Sequence, residues 1–182
     1  MSKILILYAS SHGHTRTIAQ TIADRLRGHG ARVQMGDLKK APPPSCDGFD
    51  TIVLGSRIHF GGLDRHLRAF VKRRHAELSA KPSYLFSFGM RAAYEPRLPG
   101  SNAELDRWCN ARAWAPVRTQ SFAGALLYRS FNPVMRIVMK LLSPRWSHPK
   151  DTSRDHIFTN WTEVADFADL ISASSITAAA AV

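Results

Sequence analysis

The sequence predicts an α/β fold: a doubly wound, five-stranded parallel sheet with helices on both faces. Three observations carry this. Short, continuous apolar runs such as Lys3 to Ala9 are what strands covered on both faces require. These runs alternate, from end to end, with segments whose apolar residues recur at helical spacing. The length, 182 residues, suits one well-packed domain and is short for two, so residues 1–182 are expected to form a single domain.

Taken in order, the first strand runs from Lys3 to Ala9. Ile18, Ala19, Ile22, Ala23 and Leu26 then mark a helix that Gly28 and Gly30 terminate. "ARVQMGDL" is the second strand, and "APPPSCDGFD" is a loop because its three prolines continue neither regular element. "TIVLGS" is the third strand. Leu63, Leu67, Phe70 and Val71 define the next helix, which carries Arg65, Arg68, Lys72 and Arg73 on or beside its outer face. "PSYLFSFG" is a fourth strand, residues 102–112 a helix, and "TQSFAGALL" a fifth strand. The last helix spans Trp161 to Ile171, with Asn160 as its cap and Glu163 at the capping-box position. The alanine-rich end either extends that helix or frays. Residues 128–159 break the rhythm: a connection of this kind needs only a few residues, so this is an insertion.

In a doubly wound sheet, ligands sit beyond the carboxyl ends of the strands, where strand order reverses. The stretch "SSHGHT" lies at such an end and leads into a helix N-terminus, whose free N–H groups favour a phosphate. Ser10, Ser11, His12, Gly13, His14 and Thr15 are therefore the candidate phosphate loop. Gly13 allows close backbone approach, and the hydroxyls supply donors. Neither GxGxxG nor GxxxxGK[ST] is present, which leaves a single monophosphate bound without a metal. Two further strand ends suit a flat ring. One offers Ser56, Arg57, Ile58, His59, Phe60 and Gly61; the other offers Phe88, Gly89 and Met90, with Tyr94 beyond. A phosphate at the first loop and an aromatic ring at the other two describe flavin mononucleotide, FMN.

The net charge of +11 and pI near 10.4 point to an anionic partner: nucleic acid, a membrane surface or an acidic substrate. No nucleic-acid recognition motif is visible, and such binding leaves the three loops unexplained, so it ranks last. Cys46 and Cys109 have no CxxC spacing and no companion cluster, so neither a metal site nor a disulfide framework is expected. The start of the chain has no signal-peptide pattern, and no apolar run reaches bilayer-spanning length. A cytoplasmic protein is expected.

On these residues the chain resembles flavodoxin-fold proteins from end to end, and most closely the quinone-dependent protoporphyrinogen oxidases of bacteria. The resemblance is carried by "SSHGHT", by "VLGSRIHFGGLDRHLRAFVKRRHAEL", and most specifically by "AGALLYRSFNPVMRIVMKLL" followed by "DTSRDHIFTNWTEVADFA". His12 and His14 stand where such loops carry other small or polar residues. The resemblance implies noncovalent FMN and oxidation of protoporphyrinogen IX, late in haem synthesis, with menaquinone or ubiquinone as acceptor. Arg57, Arg91 and Arg97 are candidates for the substrate propionates. His59 is the candidate base, its alternative being a spacer, and no side chain is assigned as catalytic.

Within the insertion, "NPVMRIVMKLL" would form a short helix, with Arg129, Arg136 and Lys140 on a narrow stripe. Met135, Val138, Met139, Leu142 and Trp146 are the candidate membrane contacts of a helix lying among anionic headgroups. Its alternative is packing on the body or on a second subunit, and a homo-oligomer stays open. With a quinone acceptor implied, peripheral attachment to the cytoplasmic face of the inner membrane is expected. The rival functions are an NAD(P)H:quinone reductase of the same fold and a membrane-associated FMN electron relay.

Overall fold

The computed structural model describes residues 1–11, 13–59, 62–89, 100–123, 125–126, 156–157 and 159–180. The elements are β1 (Lys3–Tyr8), α1 (His14–Gly28), β2 (Arg32–Asp37), β3 (Thr51–His59), β4 (Gly62–Leu63), α2 (Arg65–Arg73) and α3 (His75–Ser79). They continue with β5 (Ser83–Gly89), α4 (Gly100–Asn110), β6 (Arg118–Ala123), β7 (Ala125–Leu126), β8 (His156–Ile157) and α5 (Trp161–Ala180). Five long strands form one parallel sheet in the order β2-β1-β3-β5-β6, and two-residue β4 folds back antiparallel on β3.

Alternation along each strand builds two cores. Ile4, Ile6, Val53, Tyr84, Phe86 and Phe122 face α1 and α5, where Ile18, Ile22, Phe167 and Ile171 meet them. Leu5, Leu7, Ile52, Leu54 and Leu85 face the other way, towards Leu67, Phe70, Leu105 and Trp114. The connection from β2 to β3 crosses this second face without a helix, as its prolines require. It seals the core with Leu38, Cys46 and Phe49, and Lys81 Nζ holds it by donating to the carbonyls of Cys46 (2.8 Å) and Phe49 (2.9 Å).

Several element boundaries differ from the sequence reading. β3 runs on to His59, so Arg57 to His59 are strand residues rather than loop. Pairing with both β4 and β5 supplies the ladder that the sequence did not reveal. The fifth parallel strand ends at Ala123; Ala125–Leu126 pair antiparallel with His156–Ile157 instead. The 128–159 insertion thus returns on a two-stranded stem, and residues 127–155 lie outside the described residues. The last helix continues through its alanines to Ala180, consistent with alanine's high helix propensity. At its start, Asn160 Oδ1 caps the Thr162 N–H (3.0 Å). Glu163 meets the Asn160 side-chain amide rather than its backbone (3.1 Å).

Gly55, paired with Phe86 across β3 and β5, is covered by the Phe86 ring, which a Cβ at position 55 would strike. Phe86 is itself packed against Phe122 and Phe167, so it has little freedom to yield. Gly55→Ala is expected to lower the urea unfolding midpoint by an amount equivalent to about 1–3 kcal/mol. An unchanged midpoint would show that the ring moves aside freely.

Candidate functional site

From β1 the chain turns to one face of the sheet through α1, while the connections following β3 run over the other face. The carboxyl ends of β1 and β3 therefore flank the crevice where ligands of such sheets bind. Ser10, Ser11, Gly13, His14 and Thr15 lie at the end of β1; Ser56 to His59 at the end of β3; Phe88 and Gly89 at the end of β5. The sheet therefore brings the three predicted loops to one edge. His12, Phe60, Gly61, Met90, Arg91 and Arg97 lie outside the described residues, as do Met135, Val138, Met139, Leu142 and Trp146.

The first loop has the geometry of an anion cradle. Gly13 precedes α1 with φ +88°, a left-handed conformation that favours glycine, and a Cβ there would meet open space. The first helical bond runs from Thr17 N–H to the Gly13 carbonyl (3.0 Å). The N–H groups of His14, Thr15 and Arg16 thus precede any acceptor the helix can supply. Ser10 Oγ accepts from Gly13 N–H (3.1 Å) and holds the turn, while Ser10 and Ser11 stay accessible. These donors suit a monophosphate.

His14 takes a role that the sequence did not announce. Its side chain is buried rather than solvated, standing edge-on to Phe88 at 5.1 Å and near Trp161 at 6.3 Å. Its Nε2 lies 2.8 Å from Thr159 Oγ1, and Thr159 Oγ1 donates to the Ala123 carbonyl at 2.8 Å. The hydroxyl has one proton, which that carbonyl receives, so Nε2–H must be the donor to it. Nε2 therefore carries a proton, and burial lowers the ring's pKa, which favours the neutral form. Only its backbone N–H is offered to the cradle. This relay ties the first turn of α1 to the end of β6 and to Thr159, just ahead of α5.

Lys39, just beyond β2, was also missed by the sequence reading. Its Nζ donates to Ser11 Oγ (2.8 Å) and lies 3.6 Å from the Asp64 carboxylate. Asp64 caps α2 by accepting from His66 N–H (2.9 Å), while its own N–H donates to Ser56 Oγ (3.0 Å). Burial alone would raise the Asp64 pKa, but the bonds from His66 and the charge of Lys39 hold it below the usual carboxylate range. Lys39 thus straps the first loop to the second and puts a cation beside the cradle. An Asp directly before an amphipathic run is a legible cap signal. The reach of Lys39 depends on the β2-β1 adjacency, which no local pattern contains.

Further groups complete the electrostatics. Burial, then Asp37, raises the Tyr8 pKa, while Arg16 opposes them. Burial and Glu77 push Cys46 up to about 11, and burial and Asp106 push Cys109 up to about 12, so both unpaired thiols stay protonated and unreactive. Among the described residues, no cluster of His, Cys, Asp and Glu could hold a metal ion, and no helix is long and apolar enough to cross a membrane.

Residues 5–155 match the model of a flavodoxin domain. The chain belongs to the flavodoxin-domain family. Within that family it belongs with proteins named protoporphyrinogen IX dehydrogenase [quinone]. One from Leishmania major is 30% identical over 168 residues, 91% of this chain and 73% of that protein. Another, from Escherichia coli K12, is 29% identical over 167 residues, 91% of this chain and 92% of that protein. By contrast, an NAD(P)H dehydrogenase (quinone) from Gluconacetobacter diazotrophicus is 26% identical, over 38% of this chain and 45% of that protein. Among solved structures, Megasphaera elsdenii flavodoxin superposes with a TM-score of 0.53 at 22% identity, covering 65% of this chain and 84% of that chain.

The lowered pKa of His14 has a stability consequence. A histidine that binds its proton less readily folded than unfolded penalises the fold once the unfolded form protonates. Stability is therefore full above about pH 6.5 and falls as pH drops below that value, levelling off beneath the folded pKa. Urea midpoints measured between about pH 7.5 and 5 should fall with acid in the wild type. In His14→Asn the fall should be smaller; equal slopes in the two proteins would contradict a buried neutral ring.

Proposed function

We propose that this chain binds FMN noncovalently and oxidises protoporphyrinogen IX to protoporphyrin IX, a step of haem biosynthesis, with a membrane quinone as electron acceptor. One observation carries the choice of substrate. The protoporphyrinogen IX dehydrogenases match over 91% of this chain, whereas the NAD(P)H dehydrogenase match stops at 38%.

The cradle fits the cofactor's phosphate: a left-handed glycine, the unpartnered start of α1, accessible hydroxyls and one adjacent ammonium. Ser10, Ser11, Gly13 and Thr15, with the backbone N–H of His14, would hold that phosphate. The β3 end from Ser56 to His59 and the β5 end at Phe88 and Gly89 would border the ring. When bound, FMN supplies the two-electron chemistry, accepting hydride from the porphyrinogen and returning electrons to the quinone. The protein's own part is binding and orientation. Arg57, half-buried on β3 opposite Phe88, is a cation for a substrate propionate. The lipid-soluble acceptor requires the protein to work at a membrane surface. The insertion that carries Met135, Val138, Met139, Leu142 and Trp146 is rooted beside the site through Thr159.

The deciding experiment is anaerobic turnover of FMN-loaded protein with protoporphyrinogen and a soluble quinone, read by porphyrin fluorescence. Quinone-dependent fluorescence is expected. NADH oxidation with no porphyrin formed would replace this reading with a quinone reductase.

Lys39 gives a test that needs no turnover. A hydrogen bond to a charged group is worth enough to shift affinity about tenfold to a hundredfold. Lys39→Met should weaken FMN by that factor while leaving riboflavin, which lacks the phosphate, unaffected in a fluorescence-quenching titration. Equal weakening of both ligands would reduce Lys39 to a structural strap.

A further inference from the structure

On α2, Arg65, Arg68 and Lys72 fall at intervals of three and four, so they form one stripe along the helix. Leu67, Phe70 and Val71 on the other side are buried against the sheet, and the stripe therefore points outward. His75, at the start of α3, and Arg112, in the turn after α4, supply the opposing wall. Together they enclose an open groove of about 540 Å³.

The far wall is held in place. Arg112 Nη1 donates to the Trp108 carbonyl (2.9 Å), and its guanidinium carbon stands 4.1 Å from the centre of the Trp108 ring. His75 Nε2 lies 2.8 Å from the Arg112 carbonyl, an acceptor, and so donates to it. A cation fixed in this way meets an anion with little further ordering cost.

The nearby carboxylates are already engaged. Asp64 serves His66 and Lys39, and Glu77 is held by Arg74 at 2.7 Å. Among the described residues no carboxylate lines the groove, and Arg65, Arg68, Lys72 and Arg112 take part in no ion pair. On the opposite face of the sheet Arg25 is paired to Asp169 and Arg27 to Asp24. Four cations without an ion pair among the described residues, Arg65, Arg68, Lys72 and Arg73, therefore stand on the nine residues of α2, three of them around a concave surface.

We propose that this groove is a docking surface for an anionic phospholipid bilayer. The choice of a bilayer rests on the proposed oxidase function, whose quinone acceptor is dissolved in one. Headgroup phosphates match guanidinium geometry and can be bound bidentately, while the methylene stems of Arg68 and Lys72, with exposed Ala69, give the groove an apolar edge. Each lysine or arginine at an anionic surface contributes about fivefold in binding, so removing three should cost about a hundredfold.

The test is co-sedimentation of the full chain with vesicles of phosphatidylcholine mixed with phosphatidylglycerol, against vesicles of phosphatidylcholine alone. Wild type should bind the anionic vesicles, and the combined variant Arg65→Gln, Arg68→Gln, Lys72→Gln should lose about a hundredfold in partitioning. A control variant, Arg27→Gln, Arg32→Gln, Arg118→Gln, removes the same formal charge away from the groove and should bind nearly as wild type. The charge-keeping pair Arg65→Lys, Arg68→Lys should also retain binding. Three outcomes would overturn the proposal: undiminished binding by the groove variant, an equal loss in the control, or a wild-type preference for a DNA duplex over vesicles at equal salt. Turnover with a soluble quinone is measured on the same variants and should be unchanged. A failure of the oxidase reading appears there, as absence of porphyrin in every variant, and is thereby separated from a failure of docking.

Discussion

β1 is buried on both faces, with Ile4 and Ile6 on one side and Leu5 and Leu7 on the other, all fully inaccessible. A strand of that kind needs a strand on each edge and a layer on each face. The chain supplies them by sending α1 to one face and the proline-rich crossover to the other. Everything at the site follows from that burial. β3 is forced to lie beside β1, the crossovers diverge, and the carboxyl ends of the two strands are left uncovered between them. A polar substitution inside β1 would therefore harm both cores and the crevice together.

The polar bonds at that edge join elements far apart in sequence. His14 and Thr159 are separated by 145 positions, and Lys39 and Ser11 by 28. The first pair closes the sheet's face between α1 and α5; the second fastens the end of β2 to the loop after β1. Each leaves the backbone of the phosphate loop in place without occupying its N–H groups. The cradle is thus held from outside, by groups that need not touch a bound anion to shape it. Preorganisation of this kind keeps donors aimed at a ligand before it arrives.

Local patterns made the central strands legible, because a fully buried parallel strand is a continuous apolar run, as in β1, β3 and β5, whereas the edge strands β2 and β6 mix polar and apolar residues and are partly exposed. The loops were legible for a related reason: Gly13, Ser56 and Gly89 sit where an apolar run stops. His14 was not legible, since the same letter in a polar loop describes a solvated ring equally well. Its burial depends on Phe88 and Trp161 arriving from β5 and α5. Lys39 was hidden for the same reason, its partners being set by strand order alone. The extra length of β3 was hidden because β4 and β5 extend its ladder, and pairing partners are not written in the strand itself.

The distribution of charge completes the physical picture. A formal charge of +11 invites the view that the whole surface repels itself evenly. The ion pairs say otherwise: Arg25 and Arg27 of α1 are answered by Asp169 and Asp24, and Lys39 by Asp64, while α2's outer stripe has no such answer among the described residues. Like charges therefore stand close together on one helix, whose inner face contributes Leu67, Phe70 and Val71 to the core and so cannot move away to relieve their repulsion. A rigid helix holding like charges at one-turn intervals costs stability in the isolated protein. That cost would be offset by an anionic surface, which suits α2 to face such a partner.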